Sequence, residues 1–211
     1  MKKSSSYPSR RSFLKKSLTA SSFFIVPRFV LGGNGYTAPS DRLSIASIGC
    51  GGKGSSDIAN ASVNGRENVI ALCDIHPNGG HGVVDSRKRF PKARFYTDFR
   101  ELISEEKDLD AVTISTPDHT HGIIAKTAME NKIHVYVQKP LTHNIKEARL
   151  LTELARKKKV VTQMGNQGAS HPGQKYVQQW IREKRIGNVS EVKVWTNRPV
   201  WPQGISFPVS D

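Results

Sequence analysis

Cysteine is nearly absent from this chain of 211 residues. Cys50 and Cys73 are the only two, and neither sits in a metal-binding or redox spacing. They stand either as a disulfide, which an oxidising compartment would permit, or as buried free thiols, the reading their spacing favours. Acids are missing from the first 40 residues altogether. The apolar run "FFIVPRFVLGG" is broken by Pro27 and Arg28, well short of the ~20 residues a membrane-spanning helix needs. The chain has no internal repeat and no low-complexity segment. The basic run "RKKK" at Arg156 to Lys159 has no interleaved aromatics, so it reads as a solvated helix end and not as a nucleic-acid surface.

What is present begins with charge. The net charge of +14 points towards nucleic acid until it is mapped along the chain. Lys2, Lys3, Arg10, Arg11, Lys15, Lys16 and Arg28 precede Ser40 with no acid among them; without those seven, 25 bases face 18 acids. Half of the excess therefore belongs to a leader. A basic region, an apolar stretch and a polar stretch follow one another there, the layout of an export signal. Within it, "SRRSFLKKS" from Ser9 to Ser17 resembles a twin-arginine motif. Residues 1–40 are thus expected to be a signal read by the twin-arginine export machinery, and the mature protein to be periplasmic or exported.

From Arg42 onward short apolar runs alternate with amphipathic stretches, as in parallel strands joined by crossover helices. Strands are expected at Leu43 to Ile48, Asn68 to Cys73, Ala93 to Thr97, Ala111 to Ser115, Ile133 to Val137 and Val160 to Met164. Helices are expected at Ser55 to Asn64, His119 to Asn131 and Ile145 to Lys158. This is an α/β, Rossmann-type doubly wound sheet over residues 41–168, a fold that binds ligands at the carboxyl ends of its strands. Beyond it, Gly173 to Arg185 reads as a helix and "VSEVKVWT" at Val189 to Thr196 as a half-buried strand. One strand makes no sheet, so residues 169–211 are expected to open a second α/β domain of a longer protein.

The stretch "IGCGGKGSS" places Gly49, Gly51, Gly52 and Gly54 between an expected strand and an expected helix. There, backbone N–H groups and the positive end of a helix suit a pyrophosphate. An ATP-type phosphate loop in its usual form is excluded, because Ser55 and not Lys follows Gly54. Twenty residues further on, Asp74 ends the second strand, where the dinucleotide fingerprint expects an acid for the ribose hydroxyls. An acid there repels a 2′-phosphate, so NAD is expected over NADP. "STPDHTH" groups Asp118, His119 and His121, either as metal ligands or as capping and pocket-lining groups. Their spacing favours the latter, with Thr116, Pro117 and His121 against the cofactor and no metal expected. "VQKPLTHN" sets Gln138 beside the cofactor and Lys139 at a strand end, where an ammonium polarises a hydroxyl or carbonyl. Pro140 stiffens that turn, with a cis bond open to it. "QMGNQGASHPG" offers Asn166, Gln167 and His171, either to a polyhydroxylated ligand or simply to water.

Taken in order, "GCGGKG", "CD", "TPDHTH", "QKP" and "GNQG" resemble the Gfo/Idh/MocA oxidoreductases from about Arg42 to the end of the chain. The likeness is to exported members from carbohydrate-degrading bacteria, with a tryptophan-and-proline stretch like "VWTNRPVWPQG". The resemblance implies a Rossmann domain followed by an α/β domain on a large sheet, and oxidation or reduction of sugars, inositols and related alcohols with NAD(P). It implies that Gly49, Gly51 and Gly54 hold the pyrophosphate and Asp74 the ribose, and that Lys139 acts at the substrate hydroxyl. Gln138 stands where the family has glutamate, which removes a charge beside that lysine. The family's proton-transferring histidine and its acidic helper lie beyond Asp211, in the domain through which members assemble as homo-oligomers. Two further readings remain open: an NAD-dependent glycosidase or glycoside 3-oxidase, and a non-catalytic dinucleotide-binding module.

Overall fold

The computed structural model describes residues 37–196. The paired arginines of the leader and the last fifteen residues lie outside them. The described residues divide into two compact units, one through Gly165 and one from Asn166.

The first unit is one parallel sheet of six strands: β1 (Ser44–Ile48), β2 (Asn68–Cys73), β3 (Arg94–Tyr96), β4 (Ala111–Ile114), β5 (His134–Gln138) and β6 (Thr162–Gly165). Their spatial order is β3-β2-β1-β4-β5-β6. The chain therefore leaves the middle of the sheet in one direction through β2 and β3, then returns to pair β4 on the other side of β1. This makes the doubly wound order, with its crevice outside the carboxyl ends of β1 and β4.

Both faces are covered, because the strands are apolar on both sides. Helices α1 (Gly52–Ala61) and α2 (Val83–Arg89) cover one face, where Ile45, Ile58, Leu72 and Val83 form a core with Cys50. Helices α3 (Phe99–Glu105), α4 (His121–Glu130) and α5 (Ile145–Lys158) cover the other, over Ala46, Ile48, Val112, Ile114, Val135 and Val137. Full burial of one such side chain, as at Ile58, contributes roughly 1.5–3 kcal/mol. An extra residue in β2, Ile70, shifts the register against β1, since Ile45 faces Val69 and Ala46 faces Ala71. Cys50 and Cys73 are both buried and free. They belong to the cores on opposite faces of the sheet, so the disulfide alternative falls away.

Local chemistry sets the helix ends. Asp98 accepts the N–H of Arg100 to cap α3, and Asn144 accepts that of Glu147 to cap α5. Helix α5 closes on Arg156, Lys157 and Lys158, cations at its negative end. Several boundaries differ from the sequence reading. Helix α1 begins at Gly52 and not Ser55, because the glycine turn itself supplies the first helical residues. Helices α2 and α3, seven residues each, are too short to show a clear helical period in the sequence.

The second unit holds α6 (Gln167–Ser170) and α7 (Pro172–Arg182). The strand expected at Val189 to Thr196 does not form among the described residues. Its alternating pattern fits a pleat, but alternation alone does not make a strand, which needs a neighbouring strand in ladder register. Among the described residues no helix is long and apolar enough to cross a membrane.

Candidate functional site

The turn after β1 is built by close approach. A Cβ on Gly54 would fall on the Gly49 carbonyl oxygen and come within 2.9 Å of its carbon, so only glycine lets α1 start this near the strand. Gly49 has φ +79°, and a Cβ there would lie 2.8 Å from the Ser115 carbonyl carbon, which holds the turn after β1 against the turn after β4. The N–H groups of Gly49 and Cys50 both donate to Cys73 O, at 2.8 and 3.1 Å. That of Gly52 donates to His81 O, from the loop that follows β2. The next amides, of Lys53 and Gly54, sit in the first turn of α1, where no helical carbonyl reaches them. Of the two, Lys53 is the one that borders open space, so its amide is the donor available to an anion, and the helix dipole adds to it.

Asp74 follows β2 directly. Its Oδ2 accepts the N–H of Gly51 at 3.1 Å and its Oδ1 that of His76 at 3.1 Å. Two backbone donors thus fix the carboxylate beside the glycine turn, while an ionised carboxylate has about four acceptor positions in all.

These groups border a cavity of about 880 Å3 at the carboxyl ends of β1, β2 and β4. That volume lies in the range of about 300–1,000 Å3 typical of cofactor clefts. Of the residues expected in the site, Gly49, Gly51, Gly52, Asp74, Thr116 and Pro117 line it. Lys53, Thr97 and Arg100 line it as well, though sequence reasoning passed over them, and His119 lines it as one of the expected pocket-lining groups. Thr97 was open to discovery, since it follows β3 at the same end of the sheet as the other loops. Arg100 reaches the cavity rim while paired with Asp98 at 2.5 Å, and its guanidinium holds the Asp98 carboxyl below the usual carboxylate range.

Other expected residues support the site from behind. Gly54 is buried at the turn and does not face the cavity. His121 is 1% exposed, with Nδ1 2.6 Å from Pro140 O and Nε2 2.8 Å from Thr116 O. A neutral ring donates to one of these carbonyls, and a doubly protonated ring to both. The ring sits between the turn after β4 and the turn after β5 and does not line the cavity. Gln138 is also buried, its Nε2 donating to Asp57 Oδ2 at 2.8 Å. Lys139 is exposed at the end of β5 and joined to Pro140 by a cis peptide. Burial pushes the thiols of Cys50 and Cys73 up to about 12, with neighbouring charge adding to the shift.

Asn166, Gln167 and His171 belong to the second unit. There His171 caps α7, its Nδ1 accepting the N–H of Gly173 at 3.1 Å, while Asn166 and Gln167 are exposed at the start of α6. Asp118 and His119 are exposed beside the buried His121, and among the described residues no three His, Cys, Asp or Glu side chains gather in a metal-holding group.

The sequence model of the Gfo/Idh/MocA oxidoreductases, described as an oxidoreductase family with an NAD-binding Rossmann fold, matches residues 43–166. The chain is 27% identical over 161 residues to the uncharacterized oxidoreductase YrbE of Bacillus subtilis, covering 76% of this chain and 46% of that protein. It is 30% identical over 127 residues to glycosyl hydrolase family 109 protein 4 of Phocaeicola vulgatus, covering 57% of this chain and 24% of the relative. Among solved structures, scyllo-inositol dehydrogenase from Lactobacillus casei with bound NAD(H) and scyllo-inositol superposes with a TM-score of 0.59 at 20% identity. That match covers 70% of this chain and 43% of the other, and it speaks for the fold alone. The chain spans less than half the length of each of these proteins.

Proposed function

Because the chain belongs to the Gfo/Idh/MocA oxidoreductase family with its NAD-binding Rossmann fold, we propose that it is the cofactor-holding part of an oxidoreductase acting with NAD on a hydroxyl of a sugar or cyclic polyol. The observation that carries the preference for NAD is Asp74, a carboxylate fixed by two backbone N–H groups beside the glycine turn. Its remaining lone pairs accept from ribose hydroxyls, and its charge opposes a 2′-phosphate. The Lys53 amide at the start of α1 receives the pyrophosphate, and the missing Cβ at Gly54 lets that helix start close to β1. When bound, the nicotinamide supplies the hydride acceptor or donor. The ammonium of Lys139 donates to the substrate oxygen and lowers the cost of the charge that develops there.

The likeness to glycosyl hydrolase family 109 protein 4 favours a second reading, in which the oxidation is transient and serves cleavage of a glycoside. The two differ in a single assay of the complete protein. A dehydrogenase accumulates NADH in proportion to product, whereas the cleavage reaction releases sugar with no net change at the NADH absorbance. The leader belongs to the proposal too, as a twin-arginine signal delivering the protein to the periplasm. Changing both Arg10 and Arg11 to Lys in a reporter fusion of residues 1–40 should abolish export, and undiminished export removes that reading.

The direct test of the site is titration of the chain with NADH and with NADPH, followed by cofactor fluorescence. Saturable binding that prefers NADH supports the proposal; equal affinity, or a preference for NADPH, overturns the NAD assignment.

A further inference from the structure

Asp57 is an acid on α1 with no contact to the cavity, yet it is only 7% exposed. A buried carboxylate is costly unless donors surround it. Here Lys53 Nζ donates to Oδ1 at 2.6 Å, while Ser115 Oγ and Gln138 Nε2 each donate to Oδ2 at 2.8 Å. Those three donors come from the first turn of α1, the residue after β4 and the last residue of β5. The carboxylate therefore joins the phosphate end of the site to the strand that carries Lys139. The Gln138 side chain then turns its other end forward, its Oε1 accepting the backbone N–H of Lys139 at 3.3 Å.

This arrangement accounts for the departure noted in the sequence, glutamine where the resembling family has glutamate. At position 138 the residue must donate to Asp57, which an amide does and an ionised carboxylate does not. A glutamate there would bring two carboxylates to hydrogen-bonding distance, and like charges at that range cannot both ionise cheaply. The charged and titratable groups facing Asp57 are Lys53 on its own helix and Tyr136 on β5, where the Asp57 charge adds to burial in pushing the phenol up. Lys53 is half exposed and already paired, leaving no second cation among the described residues to neutralise an added acid.

We propose that Asp57 is a positioning residue for Lys139, acting through the Gln138 side chain, and that residues 57 and 138 form one matched acceptor–donor unit. The proposal rests on the reading of Lys139 as the group at the substrate oxygen. Its content is that the backbone from which the lysine departs is held by a carboxylate on the cofactor-binding helix.

The test uses the whole chain, as Gln138→Glu and as the exchanged pair Asp57→Asn with Gln138→Glu. Two readouts are taken at each pH: the thermal midpoint, and the hydrogen-exchange rate of the Lys139 amide by NMR. In Gln138→Glu the two carboxylates share a proton when folded, so one releases it at higher pH than in the unfolded chain. Stability is then retained at low pH and lost as pH rises above the ordinary carboxylate range of about 4. At pH 8 the Lys139 amide should exchange at least about fivefold faster, while that of Ala46 in the sheet centre keeps its rate. In the exchanged pair the new amide at position 57 donates and the new carboxylate at position 138 accepts, so the loss of stability seen in Gln138→Glu at higher pH should disappear and the protection should return. If Gln138→Glu fails to fold at pH 8, folding of the exchanged pair at that pH is itself the rescue. An exchanged pair no better than the single variant, or a Lys139 amide that moves only with Ala46, overturns the proposal. A chain that fails to bind NADH would sink the functional reading and leave these couplings measurable, so the two failures are distinguishable.

Discussion

Replacing Asp74 by Asn should invert the cofactor preference, and the size of the effect follows from the site. The carboxylate is half-buried, with a backbone donor on each oxygen at 3.1 Å. A carboxylate and one phosphate charge about 5 Å apart, at an effective dielectric of about 40, repel by about 1.7 kcal/mol. A 2′-phosphate carries nearly two charges at neutral pH, so discrimination against NADPH should be about 3 kcal/mol, or about two orders of magnitude in Kd. Asparagine removes the charge but keeps one oxygen to accept from Gly51 or His76, which preserves the turn better than alanine does. NADH binding should then weaken about tenfold or more, because a hydrogen bond to a charged acceptor contributes about 1.5–3 kcal/mol. NADPH binding should tighten, and the ratio of the two affinities should move by two orders of magnitude or more. The assay is fluorescence titration with both cofactors at fixed ionic strength, with the thermal midpoint as a check on folding. Added salt should compress the wild-type discrimination, since screening weakens the repulsion. A ratio that shifts less than about threefold in a folded variant would refute the ribose assignment.

Gly54→Ala places a Cβ on the Gly49 carbonyl, so α1 must retreat from the strand. Overpacking of this kind costs about 1–3 kcal/mol, seen as a lower thermal midpoint together with loss of NADH binding; unchanged affinity would show that the turn is not the cradle. In the complete protein, Lys139→Ala should cut turnover by about two orders of magnitude while leaving NADH affinity within about twofold, the mark of a group that acts in the transition state. Equal turnover would remove the lysine from the chemistry. Cys50 and Cys73, with thiols held up to about 12 against an ordinary value of 9.0, should resist alkylation at pH 8.5 in the folded chain and react on unfolding. Their contribution to stability is full below pH 9 and declines as pH rises from there towards 12, because only the unfolded chain ionises them in that window. Rapid modification of the native chain would contradict their burial.

Much of this fold is legible in residue order because its signals are local. Asn68–Cys73 and Ile145–Lys158 occupy the spans that their apolar patterns predict, since a run of β-formers and a capped 14-residue amphipathic helix each carry their own period. The glycine turn and Asp74 are legible for the same reason: strand, turn, helix and strand-ending acid lie within about thirty residues of one another. The segment at Val189 to Thr196 shows the limit of such reasoning, because alternation records a face and not a partner.

The supporting contacts were not legible. Gln138 and Asp57 meet across 81 positions, and only the order β3-β2-β1-β4-β5-β6 makes them neighbours. In the sequence the acid is one polar residue on a helix and the glutamine one departure from a motif. His121 likewise stands among possible ligands in the sequence, whereas in the fold its two nitrogens meet the carbonyls of Thr116 and Pro140. The amino-acid order by itself thus determined the alternating elements, the glycine turn and the acid at the end of β2, all products of short-range periodicity and steric need. Which buried polar groups satisfy one another was decided only by the tertiary structure, because a hydrogen bond needs its partner within about 3 Å, and crossover connections bring such partners together from distant parts of the chain.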